Sequence, residues 1–371
     1  MRGIGFERLD RLLRDRIETE GRIPGAVILV RMGGEVLFHE AYGLRQRIPV
    51  PFPMTRETLF DIASLTKPLG TALGAMLLWQ EGRLVLDHSI DLHFSRLKDP
   101  VKRRISCRHL LSHCSGLPAW RPYYQEHPTA RCDLSLDVIV AKILEEPLEA
   151  TPANREIYSD LGFILLGRVL EQLAGCPLGL FLRERLFGAL GMEVTGYRRI
   201  GSPAESMSPP GRGGIAATEY CPWRKRVLVG EVHDENCYLV GGVSGHAGLF
   251  STAGELDRIV MEIFRALDGR SMLFRTPSIR AFFQKQGSVA GGTWALGWDT
   301  PSKENSTSGQ YFSRNSYGHN GFTGTSLWID LDRRVAVTLL TNRVHPDREN
   351  LFIRQLRPEV HDAVLEEIIS V

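Results

Sequence analysis

The sequence has no H-E-x-x-H, no G-x-x-x-x-G-K-[ST], no strand-linked G-x-G-x-x-G and no G-x-S-x-G. These absences remove support for metalloprotease, P-loop and α/β-hydrolase chemistry. A charge surplus is missing too: 45 basic against 43 acidic residues leave +2, which gives a polyanion such as nucleic acid no electrostatic grip. The longest apolar stretch, around Gly70 to Trp79, is too short to cross a bilayer, so no membrane partner is expected. No internal repeat or low-complexity tract is present. The segment FERLDRLLRDRIETEG carries charges every two or three residues and has no apolar h-region. It reads as a surface helix rather than a signal peptide, and the expected location is cytoplasmic.

Six cysteines occur without a C-x-x-C pair, and a chain of 371 residues folds without disulfides, so all six are expected to be reduced. The run CRHLLSHC gathers Cys107, His109, His113 and Cys114 and raises the question of zinc. His109 and His113 are i,i+4 on a helix, but Cys107 and Cys114 cannot both face the same way, which favours packing and capping. For His233-Asp234-Glu235-Asn236, too, a satisfied loop network is preferred to a metal. No metal or cofactor is expected.

What is present has an order. AVILVRM, Gly33-Gly34 and EVLFHEAYG form a hairpin pattern, and the Pro-rich RIPVPFPMT reads as irregular. From Leu69 to Glu81 the composition is that of a buried helix. Helical patterns continue through RHLLSH, SLDVIVAKILEE, LGFILLGRVLEQLAG and LGLFLRERLFGALG, the last two stopping at Gly175 and Gly191. Residues from Tyr197 to Gly230 read as surface loop, and Ser251 or Thr252 caps a further helix. TWALGWDT, TSLWIDL and RVAVTLLTN read as strands, with a last helix near Arg357 to Ile369. β character on both sides of a helical middle predicts one catalytic unit of mixed α/β class. Its sheet subdomain spans approximately 1–63 and 286–371, and its helical subdomain approximately 64–285.

The chemistry begins with S-x-x-K at Ser64-Leu65-Thr66-Lys67, because a serine hydroxyl needs a base positioned to take its proton. A second S-x-x-K, Ser95 to Lys98, lies in a charged stretch that Pro100 stops from extending as a helix. Ser64 instead opens a helix of small residues, where an anion is stabilised, with Lys67 one turn on and on the same face. Tyr158-Ser159-Asp160 places a tyrosine just before another helix. Gly318-His319-Asn320-Gly321 precedes the TSLWID strand, its glycines letting a substrate lie close to the backbone.

S-L-T-K, Y-S-D and H-N-G in that order resemble the three motifs of the class C β-lactamase-like serine hydrolases, which include D-alanyl-D-alanine carboxypeptidases and β-lactamase-fold esterases. LLSHCSGLP, GGVSGHAGLFSTAGEL and GHNGFTGTSLWIDLDRRVAVTLLTNRVHP are similar to stretches of family members, so the resemblance runs from about Gly25 to Pro346. It implies a β-lactamase/transpeptidase-like fold: an antiparallel sheet flanked by terminal helices, plus a helical subdomain. It also implies that Ser64 is acylated, that Lys67 and Tyr158 exchange its proton, and that the N–H groups of Ser64 and Phe322 form the oxyanion hole. Asp160, His319, Asn320, Gly321 and Arg343 would contact a small-molecule or short-peptide substrate.

Two departures stand out. Asp160 replaces the asparagine usual in β-lactamases and should favour an ammonium on Lys67, making Tyr158 the expected base. His319 replaces the lysine of K-T-G, so the fixed cation is lost near neutral pH and should return towards pH 6. Arg314, Arg343 or Arg348 could take its place, and His113, His233 and His246 are further candidates for lining the site. The expected function is hydrolysis of a small ester or amide through an acyl-enzyme, with DD-carboxypeptidase or β-lactamase as the alternative. A non-catalytic scaffold or ligand sensor is disfavoured by the intact Ser64, Lys67 and Tyr158. The sequence leaves the oligomeric state open.

Overall fold

The computed structural model describes residues 5–95, 97–127, 129–201 and 213–370. Six antiparallel strands form the main sheet, in the spatial order Phe52–Pro53, Glu35–Gln46, Gly25–Met32, Val335–Thr341, Ser326–Asp330 and Ser316–Asn320. The two central strands thus come from opposite ends of the sequence, Ala26 pairing with Thr341 and Met32 with Val335. Their side chains alternate between two apolar cores. Ala26, Ile28, Val30, Val337 and Leu339 face the helices Glu7–Leu13 and Ile353–Ile369. Val27, Leu29, Ala336 and Leu340 face the helical body. Both faces are covered, which is why AVILV is a continuous apolar run rather than an alternating one.

The first helix lies on the surface with one side buried: Leu9 and Leu13 are fully enclosed against the sheet. Each such burial stabilises by roughly 2 kcal/mol. On the opposite face Ala253–Leu267, capped by Thr252 accepting from Glu255 N, packs on the central strands. A buried Arg31–Asp257 pair with two 2.5 Å contacts ties it there. The remaining helices, among them Lys67–Gln80 in two segments, Leu136–Glu145 and Asp160–Ala174, build the body around the first core. Among the described residues no single helix is long and apolar enough to cross a membrane.

Some expectations change. TWALGWDT is not a strand: Gly297 sits at φ +84°, where a Cβ would come within 2.4 Å of Ala72, and only Asp299 bridges to Gly318. The edge strand is Ser316–Asn320, so Gly318, His319 and Asn320 lie within a strand of their own ahead of TSLWID, and Gly321 follows its end. The Pro-rich segment contributes the short strand Phe52–Pro53. Within the stretch read as loop, Tyr220–Cys221 pairs with Arg226–Val227 around a buried Arg224, while 202–212 lie outside the described residues.

Candidate active site

A cleft of about 760 Å³ opens where the edge strand meets the helical body, and Ser64 lies on its wall. Local backbone geometry puts the hydroxyl there. Asp61 accepts from Ala63 N (2.8 Å) and His233 N (2.6 Å), and this holds Ala63 at φ +47°, a left-handed conformation that costs a non-glycine residue about 1–3 kcal/mol. The chain then turns directly into the helical segment that carries Lys67.

Lys67 is fully buried. Its Nζ donates to Ser64 Oγ (3.1 Å) and His246 O (3.0 Å) and lies 2.6 Å from Asp160 Oδ1. Burial opposes the ammonium, but the Asp160 carboxylate and the Tyr158 oxygen outweigh it and hold Lys67 above its usual range. Tyr158 exposes 37% of its surface to the cleft while its hydroxyl reaches Lys67 and Ser64. Burial pushes this phenol up; Lys67 opposes the rise and Asp160 adds to it. These directions describe a resting pair of ammonium and phenol. Ser159 fixes both neighbours by capping Asp160–Ala174, its Oγ accepting from Gly162 N at 3.1 Å.

The opposite wall is a tight turn. Gly321 N donates to Thr325 O, and Thr323 and Thr325 hydroxyls donate to Asp61 O (2.8 Å) and Ile62 O (3.0 Å). This latch sets the Phe322 backbone against the segment leading to Ser64. The chain itself requires glycine at 321, since a Cβ there would fall 2.0 Å from Thr325 Oγ1. Arg357 braces the turn, donating to Gly321 O (2.7 Å) and Thr325 O (2.9 Å). The Phe322 ring is half exposed and lies against His233 and Arg343.

The residues expected to bind substrate divide. Asp160, His319, Asn320, Gly321 and Arg343 all line the cleft. Arg343 gives Nε and Nη1 to the carbonyls of Phe322 (2.9 Å), Arg348 (2.6 Å) and Asn350 (2.8 Å), which leaves only Nη2 for a substrate. Arg348 also lines the cleft but is paired with Glu219 and Glu235, while Arg314 is exposed and outside the lining. His319 does not regain charge near pH 6, because burial and then Lys67 hold it down to about 3. Ser95 lies in an exposed turn.

His233 and His246 line the cleft; His113 sits behind Tyr158, with ring centres 4.7 Å apart, its Nδ1 accepting from Ser159 N (3.0 Å). His109 closes a capping box with Ser106. The His233–Asn236 run is a network. Asp234 accepts from Cys237 N (2.7 Å) and contacts His246 Nε2 (3.0 Å), and Asn236 holds Tyr124 N and Arg121 O. Among the described residues the one group with metal-ligand spacing is Glu219, Cys221 and Glu235, and Arg348 bridges its two carboxylates.

Sequence reasoning missed Asp61, Trp294, Asp299 and Arg357. Asp61, two residues before the strained Ala63, carried a local signal as a side chain able to bond the following backbone. The others reach the site only through long-range packing.

The β-lactamase family model matches residues 9–361, and the chain belongs to this family of serine hydrolases. Relatives include N-acetylmuramyl-L-alanine amidase of Bacillus subtilis strain 168, 29% identical over 343 residues, covering 87% of this chain and 78% of the relative. A protein of Escherichia coli K12 with the provisional name D-alanyl-D-alanine carboxypeptidase is 29% identical over 371 residues, covering 92% and 84%. Among solved structures, EstCE1, a hydrolase with promiscuous acyltransferase activity, superposes with a TM-score of 0.75 at 23% identity, covering 97% of this chain and 98% of that one. The octameric penicillin-binding protein homologue of Pyrococcus abyssi gives 0.70 at 20% identity, covering 94% and 76%. These two likenesses bear on the fold.

Proposed function

We propose that the chain hydrolyses a small ester or amide through an acyl-enzyme on Ser64. One observation carries the reading: a buried lysine whose Nζ touches both Ser64 Oγ and the Asp160 carboxylate beside an open cleft. Lys67 passes one proton across the 2.6 Å contact to Asp160, leaving a neutral amine next to Ser64. That amine takes the hydroxyl proton as Oγ bonds to the carbonyl carbon. The N–H groups of Ser64 and Phe322 receive the oxyanion. Tyr158, whose phenol is held protonated, gives its proton to the leaving group as the bond to carbon breaks, and is reprotonated from Lys67. Water then attacks the acyl carbon, the same groups working in reverse, and free Ser64 returns.

The names of the relatives support an amide bond in a cell-wall peptide as the second reading. Cytoplasmic residence belongs to the proposal as well, supported by six cysteines that are all unpaired, four of them buried. The test is intact-mass analysis after a fluorophosphonate, with a panel of short esters, a cephalosporin and a D-Ala-D-Ala peptide, each against Ser64→Ala. A single adduct on the peptide carrying Ser64 is expected, with ester turnover lost in the variant. An adduct on Ser95, or no adduct with any reagent, overturns the assignment.

A further inference from the structure

His319 stands where the resemblance calls for a lysine, and its bonding reverses the polarity of that position. Its Nδ1 lies 2.8 Å from Asn320 O. A carbonyl oxygen can only accept, so Nδ1 carries the hydrogen and, on a neutral ring, Nε2 carries a lone pair. The residue is 3% exposed and lines the cleft, and its Nε2 has no partner. A buried acceptor left without a donor costs stability, and a ligand that supplies the donor recovers it.

Around His319, Lys67 is held by Asp160 and the His246 carbonyl, Arg348 is paired with Glu219 and Glu235, and Arg343 and Arg357 give part of their donors to backbone carbonyls, Arg357 Nε staying without a partner. Arg354 is an exposed cation of the lining. Asp234 and Asp299 add acceptors along the walls. A carboxylate brought to His319 would meet a lone pair on the ring and further acids nearby.

We infer that His319 reads a hydrogen-bond donor on the ligand, so that the site selects a neutral substrate with an N–H or O–H group near the scissile carbonyl and disfavours a carboxylate there. The inference rests on the reading of Ser64 as the acylated residue. A lysine offers a donor and a charge at this place; His319 offers an acceptor and no charge. The ligand group it matches is an amide N–H or a hydroxyl rather than the free carboxylate of a β-lactam or a peptide terminus.

The test uses two matched pairs of neutral activated esters. One pair carries N-acetylglycine or its N-methyl analogue as the acyl group, exchanging N–H for N–CH₃. In the other the leaving group bears a free hydroxyl or its methyl ether. Each kcat/KM is divided by the alkaline hydrolysis rate of the same ester, so that only recognition is compared. For the intact enzyme at least one donor ester is expected to exceed its methylated partner by roughly tenfold or more. That ratio should fall to about one in His319→Phe and return in part in His319→Gln, whose amide oxygen can accept. Equal rates within both pairs overturn the inference, and so does a preference that survives in His319→Phe. If neither ester turns over, the same pairs are compared as protectants of Ser64 against fluorophosphonate labelling, and equal protection is then the overturning result. Labelling of Ser64 by the fluorophosphonate itself keeps this outcome distinct from a failure of the proposed function.

Discussion

The Asp160 carboxylate and the Lys67 ammonium meet at 2.6 Å in a position where Lys67 has no contact with solvent. An asparagine at 160 would supply a hydrogen-bond acceptor; an aspartate also sets the charge of the group next to the nucleophile. That choice makes the proton inventory of the site testable.

Asp160→Asn removes the anion that chiefly counters the burial of Lys67, leaving only the Tyr158 oxygen against it, so the lysine gives up its proton at lower pH. The rising limb of log kcat/KM against pH is expected to move to lower pH in the variant, measured with a neutral ester so that substrate charge stays constant. A limb that stays in place would show that Asp160 does not govern the acceptor.

Arg357 is a positioning residue. It touches no reacting atom but bonds the carbonyls at both ends of the turn that carries Phe322 N–H. Arg357→Met should let the turn relax, lowering kcat about ten- to hundredfold with a much smaller change in KM, since misplacement of a transition-state donor is felt mainly in the chemical step. Arg357→Lys should recover part of kcat. Loss of thermal stability with kcat unchanged would reduce Arg357 to a structural role.

Asp299 lines the cleft, and burial pushes its carboxyl up to about 6. An unfolded aspartate releases its proton at about pH 3.9. Below that value both states are protonated and Asp299 costs nothing. As pH rises from there through 6 the unfolded state loses its proton first, so stability falls, and above 6 the cost is complete at on the order of 2–3 kcal/mol. Asp299→Asn should therefore raise the urea midpoint at pH 8 and hardly change it at pH 4. An equal change at both pH values contradicts the assignment. A carboxylate kept at such a cost on the wall of a cleft is expected of a group that serves a ligand.

The parts of this site legible in the sequence are those set by local spacing. Ser64 and Lys67 are one helical turn apart, Tyr158 and Asp160 flank a capping serine, and the continuous apolar run AVILV marks a central strand wherever its partner lies. What was not legible depends on where distant groups come to rest. A sequence shows that position 343 holds an arginine, not that three carbonyls will use its donors. It shows a histidine at 319, but the depth that keeps the ring neutral is a property of the packed site. TWALGWDT failed for the same reason: its apolar residues are buried as a strand's would be, while Gly297 turns the chain against Ala72.

The Thr323 and Thr325 latch joins residues that lie about 260 positions apart in the chain, and the sheet beside it joins positions still farther apart. Contacts of such range close late, because the entropy of the intervening loop must be overcome before they return any stabilisation. The helical body can collapse around Lys67 with Ser64 beside it and yet lack the wall that holds the Phe322 backbone. During synthesis a nascent chain would thus carry its nucleophile long before it could stabilise an oxyanion. Reactivity would switch on only as the segment through Arg357 leaves the ribosome and docks.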